Sequence, residues 1–195
     1  MMTGSFGNPI LMGSFKIEIP DASFSDSYNR WGNFYLLFGN TETRLIQLFR
    51  KLKKIDFSDQ KNEFLNNSLN RFMKSYTRHW EEERITDLVI CLESLLLGNN
   101  TTSKGETLSR RVSTLLEEPS ARNDLHDFIK TAYKIRSKES HGRSQQSIKI
   151  GNEQYSPSDF AKKLEDHARK AFIQFLDFQL TGKTWDNMIL KLSSA

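Results

Sequence analysis

The chain has 195 residues, of which 37% are hydrophobic and 27% are charged, the composition of a soluble globular protein. This length suits one domain with its own core and a small appendage. A net charge of +4 indicates tolerance of polyanions. The single cysteine, Cys91, excludes an internal disulfide, and its apolar neighbours indicate a buried thiol in a reducing compartment. Neither a membrane-span-length apolar run nor a signal-peptide pattern is present, so we expect a cytoplasmic protein with no membrane partner.

Residues 1–57 are expected to form a small irregular N-terminal extension, or the tail of a larger upstream domain. They are rich in Gly, Ser, Asn and aromatic residues, and the stretches 15–19 and 33–39 are typical of short strands. Residues 41–55 predict an amphipathic helix, because their apolar side chains recur at helical spacing at Leu45, Leu48, Phe49 and Leu52.

Residues 58–195 are predicted to form an all-α, up-down bundle of four to five helices. Apolar periodicity places helices at about 58–80, 82–97, 107–117, 120–141 and 157–180, with a last short helix over 184–194. The first helix has a predicted buried stripe of Phe64, Leu65, Leu69, Phe72, Met73 and Tyr76. Ser156 as N-cap followed by Pro157 starts the long fifth helix. The stretch from 142 to 156 is interpreted as a polar connection.

Metal and nucleotide sites have no sequence support. The four histidines share no metal-ligand spacing, and Cys91 has no partner for a metal. Glycine-rich phosphate loops and nucleophile elbows are also missing from the sequence. His79 is interpreted as a surface group at a helix end, and His126 and His167 as members of ordinary ion pairs with neighbouring carboxylates. No metal and no cofactor is therefore expected.

The segment "YKIRSKESHGR" (133–143) carries the most informative polar residues. Arg136 precedes His141 by five residues, a pattern that arises by chance in a chain of this composition, so its context decides its weight. Arg136 follows the apolar stripe of its helix and so faces the core. Gly142 predicts the helix end, which places His141 in the last turn, where the helix dipole favours a protonated imidazole. On an ideal helix the two residues diverge by about 140°. They converge only if the helix end unwinds or a second copy completes the site.

Three stretches together resemble the HEPN superfamily, and most closely its ApeA-like domains from prokaryotic defence systems. They are "ITDLVICLESLLLG" (85–98), "ETLSRRVSTLLE" (106–117) and "IKTAYKIRSKESHGR" (129–143). The likeness covers about residues 60–180. It implies a helical bundle that dimerises with its R-x(4–6)-H segments facing each other, and often a metal-independent endoribonuclease.

The resemblance assigns roles to individual residues. Arg136 and His141 take the two catalytic positions, and Glu93 of the "LES" stretch matches an acidic position that pairs with the arginine. Ser137 takes a supporting position, where ribonucleases of this superfamily often have Asn, Asp or His. Ser140 stands where an apolar residue is common.

The implied partners are RNA, with tRNA a frequent substrate, a second copy of the chain, and an antitoxin or an upstream sensor domain. The basic residues Arg110, Arg111, Lys138 and Arg143 are candidates for holding the RNA backbone. They are equally typical of a solvated helix face. Two other hypotheses stay open at the level of sequence: a catalytically silent HEPN module for dimerisation or partner binding, and a plain helical scaffold without this kinship.

Overall fold

The computed structural model describes residues 11–12, 15–16, 47–97, 102–139, 147–182 and 185–193, without the side chains of residues 11–12, 15–16, 138 and 139. The chain divides into two compact units, Met1–Lys53 and Lys54–Ala195. In the described part of the chain, no helix combines the length and the apolar character that crossing a membrane requires.

The first unit contains a small antiparallel pair of strands. β1 (Leu11–Met12) pairs with β2 (Phe15–Lys16), so only the start of the predicted 15–19 strand is observed in a sheet. Residues 47–52 are helical, and the helix stops short of the predicted end at residue 55. The predicted strand at 33–39 lies outside the described residues.

The second unit is a bundle of helices, as predicted. A 3-10 turn (Gln60–Asn62), capped by the Asp59 side chain, leads into the first helix. The helices are α1 (Glu63–Ser75), α2 (Glu81–Leu96), α3 (Lys104–Leu116), α4 (Arg122–Glu139), α5 (Pro157–Leu180) and α6 (Trp185–Ser193). In α5 the Ser156 hydroxyl accepts the backbone N–H of Asp159 at 3.1 Å and Pro157 occupies the first turn, as predicted from the sequence.

Helix α2 lies at the centre of this unit. It packs against α1, α3, α4 and α5, and all its apolar side chains except that of Ile90 are fully buried. A helix that is apolar around most of its circumference has to be enclosed by other elements. The "LES" stretch (92–94) therefore lies within a helix that other helices enclose, which places Glu93 close to the core.

The buried face of α1 differs from the predicted stripe. Leu65 and Ser68 are fully buried, whereas Met73, predicted to be buried, is 52% exposed. The Ser68 Oγ lies 3.1 Å from the Cys91 Sγ of α2, so a small residue sets the close approach of the two helices. The helix is consequently rotated toward Ser68 and away from Met73. The prediction of a buried Cys91 thiol is confirmed.

The connection between α4 and α5 contains a β-hairpin that the sequence analysis missed. β3 (Ile148–Ile150) pairs antiparallel with β4 (Glu153–Tyr155). Gly151 stands first in the two-residue loop with φ +55°, a conformation that glycine adopts without strain. Ile148 is buried, and the Tyr155 ring packs against the ring of Phe160 with 5.9 Å between centroids. These apolar anchors hold the hairpin to the bundle, although most of its residues are polar.

Candidate functional site

Arg136 and Glu93 come together on facing helices. Ala132 and Ile135 of α4 are buried in the core. Arg136 follows them at the edge of the core, and its side chain extends toward α2. The Arg136 Nη2 lies 3.2 Å from the Glu93 Oε2, and the side chains are 32% and 15% exposed. The pairing implied by the resemblance is thus present as a contact between α4 and α2. The roles that the resemblance assigns to the two residues remain predictions.

The environment of Glu93 disfavours its charge. Burial raises the pKa of this carboxyl, while the positive charges of Arg136 and Lys104 act in the opposite direction. Its second oxygen, Oε1, is buried and has no hydrogen-bond partner among the described residues. A buried carboxylate with one satisfied oxygen depends strongly on its counter-ion, because transfer from water is costly for an unpaired charge. Arg136 is that counter-ion.

Tyr133 is a third member of this site, and it was not among the site residues predicted from the sequence. It lies one helical turn before Arg136, and the Arg136 Cζ is 5.6 Å from the centroid of its ring. On α3, Gly105 approaches the same ring so closely that a Cβ there would be 2.8 Å from the Tyr133 Cδ1. The spacing of Tyr and Arg three residues apart on a helix is the signal that could have indicated the contact.

Other predicted site residues are distributed as follows. Ser137 is exposed on α4, and Lys138 belongs to the same helix. His141, Gly142 and Arg143 lie outside the described residues, and so does the predicted end of α4 at Gly142. The convergence of Arg136 and His141 therefore stays a prediction.

The two arginines of the "LSRR" stretch have different surroundings. Arg110 is exposed on α3. Arg111 is half-buried; its Nη1 donates to the Leu96 carbonyl at the end of α2 at 2.5 Å, and its Nη2 donates to the Ser193 hydroxyl of α6 at 3.2 Å. These contacts satisfy a terminal helix carbonyl. They favour a structural role for Arg111 over the RNA contact predicted from the sequence.

A second set of charged residues is buried between α1, α2 and α5. Arg84, which is 5% exposed, forms an ion pair with Glu165, and the Tyr76 hydroxyl donates to the same carboxylate at 2.6 Å. Asp87, which is 1% exposed, receives the guanidinium of Arg71 at 3.0 Å. Such buried pairs require a partner for every charge. They link helices through carboxylates that are themselves buried, so we assign them to the structure of the bundle.

The three described histidines differ from one another. His79 is exposed, in agreement with the sequence interpretation. The His126 Nδ1 lies 3.3 Å from the Oδ1 of Asp127, the neighbouring carboxylate expected to be its partner, and its Nε2 lies 2.9 Å from the Glu106 Oε1. The predicted ion pair of His167 is wrong. Both its ring nitrogens are buried without a hydrogen-bond partner among the described residues, and its ring packs against Phe128 with 5.5 Å between centroids. The prediction was based on Glu165 and Asp166, which are neighbours of His167 in the sequence. The His167 side chain lies instead on the face of α5 that is buried in the core.

A groove of about 460 Å³ opens between the 54–62 segment, the end of α5 and the start of α6. Lys54, Lys61 and Trp185 are among the residues that line it, whereas none of the predicted site residues does. Among the described residues, no group of three or more His, Cys, Asp or Glu side chains is arranged to hold a metal ion. Comparison of the chain with protein-family models, curated proteins and solved structures finds no match.

Proposed function

We propose that the protein is a metal-independent endoribonuclease of HEPN type, which acts on RNA, with tRNA as the first substrate to test. The observation that supports this proposal best is the ion pair between Arg136 and Glu93. It holds a guanidinium at the edge of the core, one turn before the segment that leads to His141, instead of leaving it extended in solvent. In a cell, such an activity belongs to antiphage defence or to a toxin–antitoxin system.

The proposed reaction needs no metal and no covalent enzyme intermediate. The ribose 2′-oxygen forms a bond to the adjacent phosphorus while the bond from phosphorus to the 5′-oxygen breaks. The 2′-hydroxyl loses its proton and the 5′-oxygen gains one, which leaves a 2′,3′-cyclic phosphate and a 5′-hydroxyl. His141 is proposed to transfer these protons, and Arg136 to donate to the charged phosphorane, because a guanidinium binds two phosphate oxygens at once.

A second copy of the chain is part of the proposal. One ideal helix carries Arg136 and His141 on different faces, since five residues correspond to a rotation of about 500°. Two facing helices, one from each copy, bring an arginine and a histidine to the same phosphate. Arg110, Lys138 and Arg143 are proposed to hold the RNA backbone, with Ser137 as a supporting residue.

The proposal is tested by incubating the purified chain with total tRNA in EDTA and analysing the ends of the products. We expect cleavage that leaves 2′,3′-cyclic phosphates, and loss of cleavage in Arg136→Ala and His141→Ala. The matched controls are Arg169→Ala, an exposed arginine paired with Asp166, and His79→Ala, an exposed histidine. Molecular mass in solution is measured for every protein, because the site is proposed to need two copies. Cleavage at an unchanged rate by both site variants would contradict the assignment.

The second candidate function is that of a catalytically silent HEPN module for dimerisation or partner binding. Its partners would include an antitoxin or a sensor domain. The same ion pair also favours this candidate, because Glu93 already balances the charge of Arg136 that a phosphate would otherwise bind. In this case wild-type protein forms a dimer and leaves tRNA intact, and Arg136→Ala weakens the dimer. The two measurements therefore separate the two functions.

A further inference from the structure

Tyr133 forms a platform for the guanidinium of Arg136. Both residues belong to α4 and are three positions apart, so their side chains lie on one face of the helix. The Arg136 Cζ is 5.6 Å from the centroid of the Tyr133 ring, within the range in which a cation is attracted to an aromatic face. The ring is half-buried, and it is in contact with a neighbouring helix.

That neighbour is α3, which meets the ring at Gly105. A Cβ on Gly105 would be 2.8 Å from the Tyr133 Cδ1 and 3.2 Å from the Cε1 and Cγ, too close for any side chain unless the ring moves. Glycine is a poor helix former, and Gly105 lies in the first turn of a helix. Its presence is explained by the close approach of the aromatic ring. We call Gly105, Tyr133 and Arg136 the tyrosine stack.

Glu93 restrains Arg136 in a second way. The carboxylate contacts Nη2, whereas the ring of Tyr133 faces the guanidinium carbon. A single ion pair leaves a long arginine side chain free to change rotamers, and a second contact of a different kind reduces that freedom. Groups that are held in place before the substrate binds lower the entropic cost of reaching the transition state.

We propose that Tyr133 is a positioning residue that orients Arg136 for the substrate phosphate, and that Gly105 is required to seat its ring. The catalytic part of this inference rests on the proposed ribonuclease function. Tyr133 acts through Arg136 and has no contact with the RNA in this scheme. The aromatic ring provides the contact with the guanidinium. We therefore expect phenylalanine at position 133 to preserve this contact and a branched aliphatic residue to remove it.

The first test compares kcat and KM for tRNA cleavage among Tyr133→Phe, Tyr133→Leu and Gly105→Ala. We expect Tyr133→Phe to stay within about twofold of wild type and Tyr133→Leu to lose about tenfold in kcat, with KM nearly unchanged. Gly105→Ala keeps the tyrosine and improves local helix propensity, yet it is expected to lose kcat because it displaces the ring. The matched control is Tyr155→Leu, since the Tyr155 ring lies 5.1 Å from the Lys163 Nζ and forms a cation–π pair away from α3. Melting temperatures of all variants separate positioning from unfolding.

The second test does not depend on activity. Aromatic rings shift the NMR resonances of protons above their faces, so the side-chain Nε–Hε signal of Arg136 reports its position over Tyr133. We expect this shift to be retained in Tyr133→Phe and lost in Tyr133→Leu and Gly105→Ala.

The two tests separate failure of the inference from failure of the ribonuclease proposal. If wild type cleaves tRNA and Tyr133→Leu cleaves equally fast, the inference is overturned and the ribonuclease proposal stands. If wild type cleaves no RNA, the ribonuclease proposal fails and the NMR experiment decides alone. An Arg136 signal that is the same in Tyr133→Leu and wild type then overturns the tyrosine stack, and a signal lost in that variant supports it.

Discussion

We expect His167 to make the stability of the bundle sensitive to acid. The side chain is 8% exposed, and both ring nitrogens lack a hydrogen-bond partner among the described residues. Burial lowers the pKa of His167 to about 4, with Lys170 and Lys163 acting in the same direction and Asp166 opposing them. The folded protein therefore holds this histidine neutral in conditions where an exposed histidine takes up a proton.

The sign of the effect follows from comparing the two states. In the unfolded chain the pKa of His167 is near 6.5, so below this pH the unfolded state gains a proton before the folded state does. The full stability is present above pH 6.5 and is lost as the pH falls toward 4. One pKa unit corresponds to about 1.4 kcal/mol, which gives a loss of about 2 kcal/mol at pH 5 and at most about 3 kcal/mol below pH 4.

Urea unfolding at pH 7.5 and pH 5 measures this loss. We expect the free energy of unfolding of wild type to fall by about 2 kcal/mol more than that of His167→Leu, which has no proton to gain at this site. The comparison uses the change with pH within each protein, so a cavity left by leucine does not affect it. His126→Leu is the control, because His126 lies beside Glu106 and is less buried. Equal acid-induced losses in wild type and His167→Leu would refute the reasoning.

Three further predictions concern pairs and a thiol inside the second unit. Arg84→Met should cost about 3–5 kcal/mol in urea unfolding because Glu165 loses its counter-ion, and adding Glu165→Leu should restore most of it; no recovery would contradict this. Arg136→Ala should cost about 1–3 kcal/mol and Glu93→Gln less than about 1 kcal/mol, since only the first change leaves an unpaired carboxylate. A larger loss of stability in Glu93→Gln than in Arg136→Ala would disprove that Glu93 depends on Arg136 as its counter-ion. Burial raises the pKa of Cys91 to about 12, so thiol reagents should label it only in urea; rapid labelling of folded protein would exclude a buried thiol.

Local sequence signals were sufficient for the helices. The start of α5 depends on the Ser156 cap and Pro157, which are neighbours in the chain, and its observed range, Pro157–Leu180, agrees with the prediction. The apolar residues of α5 that recur at helical spacing, such as Phe160, Leu164 and Phe175, are buried, whereas the periodic pattern gave no sign that His167 is buried as well. The β3–β4 hairpin was not predicted from the sequence, because each strand has only three residues and the composition is polar.

The tertiary structure decided which residues far apart in the chain contact each other. The sequence alone determined an all-α bundle with a buried Cys91 and a basic, polar segment at the end of α4. It did not determine that Ser68 instead of Met73 faces α2, that Arg111 turns inward, or that the His167 ring nitrogens are buried with no hydrogen-bond partner among the described residues. Periodicity determines which residues share a face of one helix, whereas the rotation of each helix against its neighbours depends on side-chain packing across the bundle. The contact of Arg136 with Tyr133 follows from their spacing on α4, whereas the approach of Gly105 to the Tyr133 ring and of Glu93 to Arg136 depends on that packing.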